Sequence, residues 1–134
     1  MPIFHAHVPA RRYSSQQKRS LADAMNSALV EALQIPTEDR FVIISEHAEG
    51  ELHLHPTFMD MQRDPIAAMF IMVYLGAHRP LEQKKALVQK LNYNAAAALK
   101  VSPDDIFITL IPVPNENFSF GRGKLQLADV APSW

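Results

Sequence analysis

Residues Gln16–Phe41 read QQKRSLADAMNSALVEALQIPTEDRF, and residues Glu82–Phe107 read EQKKALVQKLNYNAAAALKVSPDDIF. Laid over one another at a shift of 66 residues, without a gap, they place Gln17-Lys18 on Gln83-Lys84 and Leu21 on Leu87. The same shift puts Asn26 on Asn92, Ala32-Leu33 on Ala98-Leu99, Asp39 on Asp105 and Phe41 on Phe107. In the first copy Leu21, Ala24, Met25, Ala28, Leu29, Ala32 and Leu33 recur at the i, i+3, i+4, i+7 spacing that lines one face of a helix. In the second, Leu87, Leu91, Ala95, Ala98 and Leu99 do the same. Ser14 or Ser15 offers an N-cap to the first helix and Pro36 closes it. Pro80 opens the second helix, and Pro103 closes the turn that follows.

Working outward, each helix lies between two β-rich runs. The first copy has Pro2–Val8 (PIFHAHV) before its helix and Phe41–Ile44 (FVII) after it; the second has Ala67–Leu75 (AAMFIMVYL) and Ile106–Pro112 (IFITLIP). Phe4 falls on Phe70 at the same shift, so strand falls on strand as well. The chain therefore reads as two βαβ units, residues 2–47 and 68–113, within a single domain covering 1–134. A parallel pair joined by a crossover helix is the expected form of each. The predicted fold is α/β (more strictly α+β): a four-stranded sheet with two helices on one face. The linker from Glu46 to Pro65 holds Gly50, Pro56 and Pro65 and reads as loop, with Glu51–His55 (ELHLH) a candidate short strand. Residues 67–75 are apolar on both faces, which predicts that another subunit covers the side of the sheet away from the helices.

Composition narrows the function. At 134 residues and 15.1 kDa the chain is one domain long. Hydrophobic residues at 48% and charged residues at 20% mark it as globular. Thirteen Lys+Arg against fourteen Asp+Glu give a formal charge of -1, so nothing drives binding to nucleic acid or an anionic membrane. The absence of Cys excludes disulfides, thiolate catalysis and cysteine-based metal sites. No apolar run approaches the roughly 18 residues of a bilayer span, and MPIFHAHVPARR lacks the order of a signal peptide. A cytoplasmic protein without cofactor is expected. His5-x-His7 and His53-x-His55 each put two imidazoles on one strand face, but such pairs are more often hydrogen-bonded than metal-bound, and no metal is expected. The paired glycines Gly121 and Gly123 precede no helix and form no phosphate loop, and no nucleophile elbow is present.

Pro2 carries the sharpest chemical signal. A small second residue usually lets the initiator Met be removed, after which the chain begins with a secondary amine. An α-amino group titrates near about 8. Apolar burial or a nearby arginine lowers that value toward neutrality, where a general base works best; a nearby carboxylate raises it and favours an acid. With Met1 attached, Pro2 is an amide and does none of this.

The βαβ repeat led by Pro2 resembles the tautomerase superfamily, whose members use an amino-terminal proline at the start of a βαβ unit. Within it, the fused double units are most similar to the malonate semialdehyde decarboxylase family. The matching pieces are Pro2, the turn Pro36–Phe41 (PTEDRF), the turn Arg79–Lys84 (RPLEQK), Ser102–Asp105 (SPDD) and the tail Phe118–Gly123 (FSFGRG). The resemblance implies a catalytic role for Pro2, an Asp39 that orients water or holds the proline's proton, and an Arg79 that grips a substrate carboxylate. Asp105, at the repeat-equivalent position, shows that such an aspartate also serves as structure. Phe118 and Phe120 match aromatic positions that wall the family's pocket, and core or interface packing explains them equally well. Arg12, with Arg11, follows strand one where short tautomerases carry an active-site arginine, with one extra residue that blurs the match. Arg122 sits in the Gly-Arg-Gly turn. The decarboxylase pattern has a second arginine two residues before Arg79, where this sequence has Ala77.

The resemblance thus implies an isomerase, a keto–enol tautomerase acting on a small carboxylate-bearing oxo or enol substrate, and a homotrimer. The alternative is a lyase: a malonate semialdehyde-type 3-oxo acid decarboxylase or hydratase, which Ala77 disfavours. From another class, a non-catalytic trimeric binding protein would retain Pro2 only as structure. The tail Phe118–Trp134 is expected to cross onto a neighbour.

Overall fold

The computed structural model describes residues 2–131. Its strands are β1 (Ile3–Pro9), β2 (Val42–His47), β3 (Met69–Gly76) and β4 (Ile106–Val113), and its helices are α1 (Ser15–Leu33) and α2 (Leu81–Leu99). Short 3-10 turns occur at Phe58–Asp60, Pro103–Asp105 and Asn115–Asn117. The sheet order is β2-β1-β3-β4. Within each unit the strands are parallel, β1 with β2 and β3 with β4. The units join antiparallel, with Ile3 opposite Tyr74 and His7 opposite Phe70. The start of β1 therefore lies beside the end of β3, and the start of β3 beside the end of β1.

Local chemistry repeats with the sequence. Ser14 caps α1 in a reciprocal box: the Gln17 N–H donates to its Oγ at 3.1 Å, and its own N–H donates to Gln17 Oε1 at 2.8 Å. Both helices end on a non-glycine residue in the left-handed region, Gln34 (φ 56°) and Lys100 (φ 55°), which are 66 residues apart. The repeated asparagines tie each helix to the turn after it. Asn26 Nδ2 donates to the Thr37 carbonyl at 3.4 Å, and Asn92 Nδ2 to the Pro103 carbonyl at 2.9 Å.

The core lies between one sheet face and both helices. Phe4, Ala6 and Val8 of β1 and Met69, Ile71, Val73 and Leu75 of β3 are buried against Leu21, Met25 and Leu29 of α1 and Leu87 and Leu91 of α2. The opposite face carries Ile3, His5, His7, Phe70, Met72 and Tyr74 on alternate positions. There Ile43 stays 51% exposed and Phe107 43% exposed, while Phe70, Met72 and Tyr74 are half-buried. No helix among the described residues is long and apolar enough to cross a membrane.

One expectation needs correction. Glu51–His55 is not a strand. Its histidines bond locally instead: the His53 Nε2–H donates to the Gly50 carbonyl at 2.6 Å, and His55 Nδ1 accepts from the Thr57 and Phe58 N–H groups. At the start of the tail, Phe118 is 7% exposed and buried in its own chain. The end of the segment expected to cross, Pro132–Trp134, lies outside the described residues.

Candidate active site

Strand pairing brings three segments to one end of the sheet. Pro2 is buried and enters β1 where β3 leaves, next to Leu75 and Gly76. On the other side the Phe4 N–H donates to the Phe41 carbonyl at 2.9 Å, which draws the turn before β2 to the start of β1. Asp39 lies in that turn, two residues from Phe41. Its N–H donates to the Pro36 carbonyl at 3.1 Å, and the Arg40 Nη2–Asp23 Oδ1 contact of 2.6 Å holds the turn to α1. Beyond β3 the Ala77 N–H bonds the Val113 carbonyl at 3.0 Å, and the Arg79 N–H approaches the Gly76 carbonyl at 3.4 Å. Arg79 thus stands just ahead of α2, and its Nη1 donates to Gln83 Oε1 at 3.0 Å.

The two charges sense one another. Burial pulls the Arg79 pKa below its ordinary value, and the Asp39 carboxylate pushes it back up. Asp39 Oδ1 is shielded from solvent. Aromatic rings close this end: Phe118 and Phe120 stack with centroids 6.5 Å apart, and Phe120 lies 5.9 Å from Phe41. Phe120 itself is 41% exposed, so it forms a rim more than a core. A buried residue 2, one carboxylate, one guanidinium and an aromatic rim are the parts needed to hold a small anion and move a proton beside it.

Not every sequence candidate joins this group. Arg12 lies past Pro9, at the far end of β1. A strand rises about 3.3 Å per residue, so the seven residues of β1 put Arg12 about 20 Å or more from Pro2 in the same chain. Its guanidinium sits 4.9 Å from the Tyr13 ring. Arg122 is exposed, with φ 59°, in the Gly121–Gly123 turn.

The strand histidines are engaged in hydrogen bonds, His5 Nε2 with Ser45 Oγ and His7 Nδ1 with His47 Nε2, each at 2.8 Å. Among the described residues no three His, Asp or Glu side chains are grouped to hold a metal. Two contributors escaped the sequence reading, Phe41 and Gln83. Gln83 was detectable as the residue four positions after Arg79 on the same helix face.

Comparison with known proteins is consistent across the chain. One family profile described as "Tautomerase enzyme" matches residues 39–121, and a second so described matches residues 2–59. "Probable tautomerase YusQ" of Bacillus subtilis (strain 168) is 27% identical over 129 residues, covering 96% of this chain and all of that protein. A malonate semialdehyde decarboxylase, whose crystal structures were described as a basis for decarboxylase and hydratase activities, superposes with a TM-score of 0.84 at 28% identity. That match covers 92% of this chain and 94% of the other. A fused 4-OT described as an asymmetric trimer gives a TM-score of 0.77 at 26% identity, covering 92% of this chain and 96% of the other.

Proposed function

As this chain belongs to the tautomerase family, we propose that it is a keto–enol tautomerase using the amine of an amino-terminal Pro2 on a small carboxylate-bearing oxo or enol substrate. The observation that carries this reading is the convergence of Asp39, Arg79 and buried Pro2 at one end of the sheet. Arg79 binds the substrate carboxylate through its fork. The Pro2 nitrogen takes the enol hydroxyl proton as the C=O bond forms, and the neighbouring carbon receives a proton from the resulting ammonium. The Arg79 charge favours the neutral amine this needs at neutral pH. Phe118 and Phe120 keep water from the carbanion-like centre.

The working unit is a homotrimer. The apolar sheet face bearing Ile43 and Phe107, together with the trimeric state of the fused 4-OT relative, supports this assembly. A stable monomer by light scattering contradicts it. The enzymatic reading is tested by Pro2→Ala. The wild-type chain purified from cells is expected to lack Met1 by intact mass. The variant loses at least about a hundredfold in activity, the scale of a positioned acid or base, with unchanged circular dichroism. A fully active variant, or a wild type that keeps Met1, removes the proline from the mechanism.

A second reading is supported by the Asp39 turn, drawn to the start of β1, and by the decarboxylase relative: a 3-oxo acid decarboxylase or hydratase in which protonated Pro2 acts as the acid. NMR titration of the Pro2 nitrogen separates the two. A pKa near neutral marks a base, and one well above neutral marks an acid.

A further inference from the structure

The repeat that builds the fold also builds a second end of the sheet. Because β1 and β3 are antiparallel, the chain entering β3 meets the chain leaving β1, just as Pro2 meets the chain leaving β3. At the 66-residue shift Pro2 aligns with Ala68. Two adjoining clefts of about 540 and 500 Å3 open here, sharing Leu52, His53 and Pro65. Arg11, Arg12, His47 and Ile66 line the larger, and Ala68 lines the smaller.

The cleft has the features of a built anion site. Arg11 adopts φ 65°, a left-handed conformation that costs energy for a long side chain and persists only where its surroundings hold it. Its backbone N–H faces the Glu46 carboxylate, which Lys18 also pairs, so that acid is engaged from two sides. The Arg12 guanidinium rests on the ring of Tyr13, which is buried and fixed by an O–H bond of 2.8 Å to the Ala67 carbonyl. Among the described residues no ion pair joins Arg11 or Arg12 to a carboxylate. Glu49, the acid on the lining, is exposed, and the same lining carries two arginines. Beside the guanidinium groups the wall is apolar, with Ile66 left 66% exposed.

We propose that this cleft is a second, non-catalytic binding site for a small carboxylate with an apolar tail, gripped by Arg11 and Arg12 with the tail against Leu52, Pro65 and Ile66. Guanidinium forks match carboxylate geometry, and the apolar wall selects a carbon-bearing anion over a fully hydrated one. Residue 68 lies inside the chain, so its nitrogen is a peptide N–H and offers no amine. The ligand is held without being turned over. This inference stands apart from the proposed activity, since nothing in it requires Pro2.

The test uses the full chain carrying Pro2→Ala and Arg79→Ala, so that the other end contributes nothing. Amide NMR spectra are followed while crotonate, a four-carbon unsaturated carboxylate, is added. Saturable shifts at Arg12, Tyr13 and His53 are expected. Adding Arg12→Ala should weaken binding at least about tenfold, the loss of one charge-assisted contact. Arg11→Gly gives an independent arm: glycine accepts the positive φ without strain, so the fold is kept or stabilised while crotonate affinity falls. Absent shifts at these residues, an affinity indifferent to both substitutions, or equal saturation by inorganic phosphate would each overturn the proposal.

Discussion

Replacing Arg79 with alanine removes the guanidinium that the proposed mechanism depends on. The structure supplies the magnitude. Arg79 is half-buried, its orientation is set by the 3.0 Å bond to Gln83, and burial already strains its charge, so its contact with a carboxylate is poorly screened by water. A hydrogen bond to a charged group is worth about 1.5–3 kcal/mol, and each 1.4 kcal/mol is about tenfold. The expected fall in kcat/KM is therefore about 10- to 150-fold. Lysine at this position should restore part of it, because an ammonium keeps the charge but loses the fork. The pH profile carries a second signature. In the proposed mechanism Arg79 lowers the Pro2 amine pKa by like-charge repulsion, and Asp39 opposes it. Removing Arg79 leaves only the raising influence of this pair, so the rising limb of the rate profile moves to higher pH. Ala77 sharpens the test, since no arginine stands two residues earlier to take over. Steady-state kinetics on an enolpyruvate-type substrate across pH is the assay. Unchanged kcat/KM together with an unmoved rising limb would refute the reasoning and send the search for the carboxylate clamp to Arg122.

Other consequences are direct. The His7 pKa is lowered first by burial and then by His5 and His47, so the unfolded chain binds its proton more tightly than the folded one. That stabilisation is complete above about pH 6.5, the ordinary histidine value, and is lost as the pH falls through the lower folded value. Melting curves across this range should show a steeper acid loss for wild type than for His7→Gln, and parallel curves would count against it. Leu87→Ala, at a fully buried position of α2 in the core, should cost about 2–5 kcal/mol in denaturant unfolding. A cost below about 1 kcal/mol would mean the site collapses around the missing side chain. Phe120→Ala should leave the melting temperature nearly unchanged, since the ring is a partly exposed rim, yet lower kcat/KM. Loss of stability without loss of activity would reassign it to packing.

Most of the fold was legible because the repeat is carried by residues with local duties. Asn26 and Asn92 mark where a helix must be tied to its turn, and the leucines mark its buried face. What local pattern does not encode is which strands of the two units meet. The antiparallel β1–β3 seam decides which chain segments share an end. Arg12 illustrates the limit. It is ten positions from Pro2 in sequence, but an extended strand carries it to the opposite end, whereas Arg79 returns to the proline because β3 runs back toward it. Glu51–His55 misled for a different reason: alternation suits a strand, but histidine rings that bond nearby backbone groups favour turns.

The two copies also show how one aspartate becomes structural while its counterpart is left near Arg79. Asp105 is buried and spent on backbone: Oδ1 accepts from the Asp64 N–H at 2.7 Å and Oδ2 from the Ser102 N–H at 3.2 Å, closing the cap of a 3-10 turn. Sixty-six residues earlier, Asp39 occupies the same place in the repeat, but the residue aligned with Ser102 is Pro36. Proline has no N–H, so the reciprocal capping bond that engages Asp105 cannot form at Asp39. The Asp39 carboxylate instead meets the field of Arg79 at the proline end of the sheet. A single change of capping residue thus removes one backbone N–H donor from the carboxylate in one copy. The same duplication leaves Ala68 where the other copy has Pro2. Two copies of one scaffold therefore present one end that we propose for proton transfer and one that we propose only binds.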